Sequence, residues 1–119
     1  MQFLVQLETN LPPDLPEDRR QALAAAEAAR GRDLLADGTV VMLWRLPGRL
    51  ANVGVWSAED PNELHDALVS LPLWPWMTVT ITALAAHPLM AEQANLSRQP
   101  APVPSVPARA VDRSRSTNT

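Results

Sequence analysis

Between Gln2 and Glu8 the residues alternate, with Phe3, Val5 and Leu7 on one side and Gln2, Leu4, Gln6 and Glu8 on the other. A period of two predicts a strand with one apolar face and one mixed face. Pro12, Pro13 and Pro16 then break the chain, and Pro16-Glu17-Asp18 reads as the first turn of a helix, its acids at the positive end of the dipole. The helix continues through an Ala-rich stretch to about Ala36, where Asp37-Gly38 stops it. Residues 39–45 and 50–56 carry Val, Leu and Trp at strand spacing on either side of Pro47-Gly48, which predicts a hairpin. Asp60-Pro61-Asn62-Glu63 supplies a capping Asp, a proline suited to a first turn and a Glu three residues after the Asp. Leu64, Leu68 and Leu71 mark the buried stripe of this second helix, and Pro72 ends it. From Met77 to Ala85, Val79, Ile81 and Ala83 alternate with Thr78, Thr80 and Thr82 as a fourth strand.

The predicted order is β-α-β-β-α-β, an α+β, ferredoxin-like arrangement in which two helices cover one face of a four-stranded antiparallel sheet. The uncovered face would carry Leu4, Gln6, Thr80 and Thr82, too apolar for a solvated surface and too polar for a closed core. A dimer packing two such faces, or a partly enclosed pocket beside the sheet, accounts for that mixture. Residues 89–96 read as a short arm docking on a neighbour. From Ser97 the chain turns to Pro, Ser and Arg, with too little apolar side chain to offset ordering entropy. The expected organisation is a folded domain, residues 1–96, and a disordered tail, 97–119.

At 119 residues the chain suits one domain, and 46% apolar residues suffice for a core. A net charge of −3 argues against a nucleic-acid surface, which needs clustered cations. Ten Arg carry all the fixed positive side-chain charge, for there is no Lys. The absence of Cys excludes disulfides, thiolate metal sites and Cys nucleophiles. No apolar run approaches the ~20 residues of a membrane helix. The first residues read as a strand rather than a signal peptide, and the expected location is cytoplasmic.

Candidate chemistry centres on Glu27. At about 100° per residue, Leu23, Glu27, Arg30 and Leu34 fall within about 60° of one another, so the carboxylate shares the stripe of the helix's large apolar residues. Burial there would raise its pKa and suit a general base or acid; a solvent-exposed pairing with Arg30 or Arg20 is the competing reading. His65 is one step off the stripe of the second helix, and His87 precedes Pro88 at the end of the fourth strand. The two imidazoles have no carboxylate at ligand spacing, and no metal is expected. Arg45 and Asn52 lie on opposite arms of the hairpin, near each other and on faces the pattern leaves open. The first can clamp a carboxylate and the second can donate to a carbonyl oxygen. Trp44, Trp56, Trp74 and Trp76 read as core or interface filler before they read as substrate walls.

Two stretches narrow these options: Met42-Leu43-Trp44-Arg45-Leu46-Pro47-Gly48-Arg49-Leu50-Ala51-Asn52, and Leu71-Pro72-Leu73-Trp74-Pro75-Trp76-Met77 followed by His87-Pro88. Together with Leu11-Pro12, Asp14, Glu27, Gly38-Thr39 and Leu64-His65 they resemble the muconolactone delta-isomerase family over residues 1 to about 90. The resemblance implies a cofactor-free enzyme of aromatic catabolism. It would shift a proton to turn muconolactone into 3-oxoadipate enol-lactone, in dimeric α+β barrels assembled into a ring, usually a decamer. It assigns Glu27 as base, Arg45 as clamp for the acetate arm, Asn52 or His65 as oxyanion donor, and Trp44, Trp74 and Trp76 as substrate walls. The chain departs from the family pattern at Leu4 and Met42, where members carry His, and at Leu50, where they carry an aromatic residue. Those departures keep a chloromuconolactone dehalogenase or an isomerase of another butenolide open. A non-catalytic ligand-binding or assembly module and a cofactor-independent oxygenase are readings of a different class.

Overall fold

In a computed structural model, which describes residues 1–98, the opening alternation becomes β1 (Gln2–Thr9), with Phe3, Val5 and Leu7 buried. Helix α1 (Glu17–Ala36) follows, then β2 (Val40–Arg45), β3 (Ala51–Ser57), α2 (Pro61–Val69), a 3₁₀ turn (Trp74–Trp76) and β4 (Met77–Leu84). The strands form one antiparallel sheet in the order β2-β3-β1-β4, the βαββαβ topology expected from the pattern. Met1–Ala85 make one unit, and the described residues from Ala86 to Arg98 belong to a second.

The start of α2 and the end of α1 have local causes. Asp60 accepts the Glu63 amide at 2.9 Å, and Glu63 in turn accepts the amide of Glu59, so two otherwise orphaned donors are satisfied before α2 begins. Gly38, at φ 83°, takes the left-handed conformation that lets the chain leave α1, and Gly48, at φ 77°, does the same in the hairpin turn. The core gathers Phe3, Val5 and Leu7 from β1, Leu34 from α1, Val40 and Trp56 from the hairpin, and Leu64, Leu68 and Leu71 from α2 and its end. Burying each large apolar side chain contributes about 1.5–3 kcal/mol.

Register decides which residues share a face. Phe3 lies opposite Trp56, Val5 opposite Gly54 and Leu7 opposite Asn52, so this row set faces the helices. On the uncovered face, Leu4 lies between Val55 and Thr82, and Gln6 between Val53 and Thr80. Strand β2 has one irregularity, a register shift between Val40 and Met42. Beyond it Met42 pairs with Val55, Leu43 with Gly54, Trp44 with Val53 and Arg45 with Asn52.

In the second unit, α3 (Pro88–Arg98) is an eleven-residue helix where the sequence suggested only an arm. His87 lies past the end of β4 rather than at it, and its Nδ1 accepts the Leu89 amide at 3.1 Å. Ser97 and Arg98 therefore end a helix; the rest of the expected tail lies outside the described residues.

Candidate active site

One end of the sheet carries a cavity of about 570 Å³. Thr9 closes β1, Arg45 closes β2, Ala51 and Asn52 open β3, and Met77 opens β4, so antiparallel order brings all five to the same rim. Ala24 and Glu27 supply the wall from α1, Leu73 supplies it from the segment after α2, and Leu11, Leu43, Trp44, Arg49 and Leu50 complete it.

Glu27 reaches this place because it shares the inward stripe of α1. Leu23, Glu27 and Arg30 are half-buried and Leu34 is buried, while the residues between them are exposed apart from Gly31. Helix α2 ends at Val69, before the stop expected at Pro72, so the amide after Pro72 lies outside any helix or strand, and the Leu73 N–H donates to Glu27 Oε1 at 3.0 Å. Partial burial raises the Glu27 pKa above the usual carboxylate range, and the Leu73 hydrogen bond opposes that shift without cancelling it. The arginines that the sequence offered as partners are engaged elsewhere. Arg20 donates to the carbonyls of Leu15 and Pro12, and Arg30 Nε donates to Ser70 Oγ at 2.9 Å. Among the described residues the ion pair found is Arg49 with Glu8, at 2.6 Å.

Arg45 and Asn52, whose relative orientation the sequence left open, are direct cross-strand partners on the helix-facing side. The Asn52 amide oxygen is buried and finds no protein donor among the described residues, so the amide is not committed to holding the fold. Trp44 also lines the cavity, although its pairing row with Val53 and Gln6 belongs to the opposite face.

Three sequence candidates are not in the lining. His65 is exposed on α2, its ring edge-on to Trp74 at 6.0 Å and 85°. Trp74 packs against the core from the 3₁₀ turn, and Trp76 stands at its other end, so the Pro-spaced pair follows directly on Leu73, the residue before the turn. Leu73, Arg49, Leu11 and Met77 were not singled out as site residues. For Leu73 the working group is a backbone amide, whose availability was signalled only by the preceding proline. Of the three positions that the resemblance marked as departures, Leu50 lines the cavity, while Leu4 and Met42 flank Val55 on the uncovered face.

The arrangement offers one carboxylate of raised pKa, one guanidinium without an ion pair among the described residues, one uncommitted amide and mainly aliphatic walls. That set can remove a proton from carbon, hold an anionic arm and donate to a developing oxyanion. The described residues contain no group of three or more His, Cys, Asp or Glu able to hold a metal, and no described helix is long and apolar enough to cross a membrane.

Comparison with known proteins bears on the family and the fold. Residues 1–89 match the family model described as muconolactone delta-isomerase. The chain is 41% identical over 87 residues to muconolactone delta-isomerase 2 of Acinetobacter lwoffii, covering 73% of this chain and 91% of the relative. It is 36% identical over 88 residues to muconolactone delta-isomerase of Cupriavidus pinatubonensis, covering 74% and 96% respectively. Among solved structures, a muconolactone isomerase crystal structure superposes with a TM-score of 0.70 at 35% identity, over 74% of this chain and 92% of that one. A 5-chloro-2-hydroxyhydroquinone dehydrochlorinase from Burkholderia phenoliruptrix shares the fold at a TM-score of 0.55 and 17% identity, over 73% of this chain and 96% of that one.

Proposed function

The chain belongs to the muconolactone delta-isomerase family, and on that footing we propose that it converts muconolactone to 3-oxoadipate enol-lactone by a cofactor-free proton shift. The observation that carries the reading is the convergence of Glu27, Arg45 and Asn52 on one cavity.

Muconolactone has a ring C–H conjugated through a C=C bond to the lactone carbonyl, and it bears an acetate arm. Arg45 holds the arm's carboxylate, setting the ring between the aliphatic walls and Glu27. The Glu27 carboxylate takes the ring proton. The C–H electron pair becomes part of a dienolate that resembles a 2-oxyfuran, with its negative charge on the former carbonyl oxygen. Asn52 turns its NH₂ toward that oxygen and stabilises the charge. Glu27, now protonated, returns the proton to the other end of the allylic system, so the double bond moves and the base is regenerated. A raised pKa suits both halves of the cycle, because the partly buried carboxylate is a stronger base than an exposed one and holds the proton more firmly until it is returned. His65 has no part in this scheme, since it does not line the cavity.

The enzyme acts in the cytoplasm as a homo-oligomer, with sheet-to-sheet dimers as the unit and a decamer as the expected ring. The uncovered face, where Leu4, Met42 and Trp44 are each more than a third exposed, supports that assembly. Proton NMR of muconolactone with the protein in deuterated buffer tests the function. Enol-lactone formation, absent with Glu27→Gln, is the expected outcome, with deuterium at the reprotonated carbon to the extent that the Glu27 acid exchanges with solvent before it gives its proton back. Unchanged muconolactone with folded protein would reject it, and chlorinated and methylated lactones would then be compared.

A further inference from the structure

Residues five apart in a regular strand lie on opposite faces. Val40 and Arg45 are five apart, yet both belong to the helix-facing side: Val40 is buried opposite Trp56, and Arg45 lies opposite Asn52. The register shift between Val40 and Met42 reconciles them. It admits Val41 as an extra residue, so that the first part of β2 anchors in the core and the second part delivers Arg45 to the cavity.

Such a kink needs room on the neighbouring strand, and Gly54 provides it. A Cβ on Gly54 would stand 2.5 Å from the Met42 carbonyl oxygen and 2.9 Å from Leu43 Cδ1. The first of those obstacles is backbone and cannot turn aside. Gly54 has no unusual φ, so its role is one of space rather than of backbone conformation. It is buried between Val5 and Leu43, two positions along β3 from Asn52 and outside the cavity lining.

We propose that Gly54 is a positioning residue for substrate binding: by admitting the Met42 carbonyl against β3, it lets the kinked β2 hold Arg45 opposite Asn52. This rests on the reading of Arg45 as the clamp for the substrate carboxylate. A methyl group at Gly54 lifts β2 from β3 just before Arg45, and the guanidinium loses its aim while Glu27, on a different element, keeps its own.

The test is a set of four proteins: the native sequence, Gly54→Ala, Arg45→Gln and the double variant, assayed with muconolactone. Gly54→Ala is expected to raise KM by about tenfold or more, the loss of a charge-assisted contact, with kcat within about threefold. On the Arg45→Gln background it is expected to change KM no further, whereas a general weakening of the fold would add in both backgrounds. An unchanged KM in Gly54→Ala, or an equal penalty in both backgrounds, overturns the proposal. Nuclear Overhauser contacts between the Arg45 side chain and the Asn52 amide provide a readout independent of turnover, expected in the native protein and lost in Gly54→Ala; their persistence overturns it as well. If Arg45→Gln itself leaves KM unchanged, the clamp reading fails, and these contacts alone decide whether Gly54 positions Arg45. If Gly54→Ala does not fold, it is combined with Leu43→Ala and compared with Leu43→Ala alone, which leaves the Met42 carbonyl as the obstruction.

Discussion

Replacing Glu27 by Gln changes one property of the cavity and little else. The side chains are nearly isosteric, and the Gln carbonyl oxygen can accept the Leu73 N–H that Glu27 Oε1 accepts at 3.0 Å, so the wall keeps its tether. What disappears is the proton acceptor. A positioned general base contributes about 10²–10⁴-fold, so kcat is expected to fall by that factor, or about 2.7–5.4 kcal/mol on the barrier. The pH profile of the native enzyme provides a second reading. Because burial raises the Glu27 pKa from its ordinary 4.5, the acid limb of kcat/KM is expected above that value. Stability must move in the opposite direction. A carboxyl whose folded-state pKa is raised binds its proton more tightly in the folded protein than in the unfolded chain. Its contribution is therefore most favourable below the unfolded pKa and declines as pH rises through the window up to the folded value. Glu27→Gln has no such dependence, so its melting temperature should gain on the native protein's as pH rises through that window. Stopped assays of enol-lactone formation and thermal melts across pH measure both. A variant within about tenfold of native kcat, or an acid limb at or below 4.5, would refute Glu27 as the base.

Asn52→Ala should lower kcat by about 10²-fold if its amide supports the oxyanion, while His65→Ala should stay within about threefold, and parallel steady-state kinetics separate the two. Asp60→Ala removes the acceptor of the Glu63 amide and should cost about 0.5–2 kcal/mol in a denaturant titration, with the denaturant slope unchanged. An m-value that changes as well would mean that α2 depends on more than its cap.

The elements were legible because their periods differ. The alternation of Phe3, Val5 and Leu7 leaves one arrangement for β1, and the Leu64, Leu68 and Leu71 stripe leaves one for α2. Glu27 could be placed on the inward stripe of α1 by the same geometry, although an Ala-rich helix has few large residues to define it. The hairpin resisted, since Val40-Val41-Met42-Leu43-Trp44 is apolar throughout and contains no alternation to reveal an extra residue. The face of Arg45 depends on that residue, which explains why its relation to Asn52 could not be read. Trp74 and Trp76 lie outside the cavity lining, and the group that reaches Glu27 from their segment is the amide of Leu73 between Pro72 and Trp74, which no side-chain pattern announces. His65, which helical spacing had left off the stripe and the family resemblance had brought into consideration, lies exposed on α2 outside the cavity lining, a placement that depends on tertiary packing.

The bond from Leu73 to Glu27 gives the cavity wall a rhythm. An ionised carboxylate accepts an amide hydrogen bond more strongly than its protonated form. With Glu27 as base, the tether between α1 and the Leu71–Met77 segment slackens while the acid carries the borrowed proton and tightens once the proton is returned. The looser interval coincides with the dienolate, whose ring must present its other end to the same acid. One hydrogen bond thus couples the ionisation of the base to the freedom of the intermediate to turn, and the Leu73 amide proton is its natural reporter.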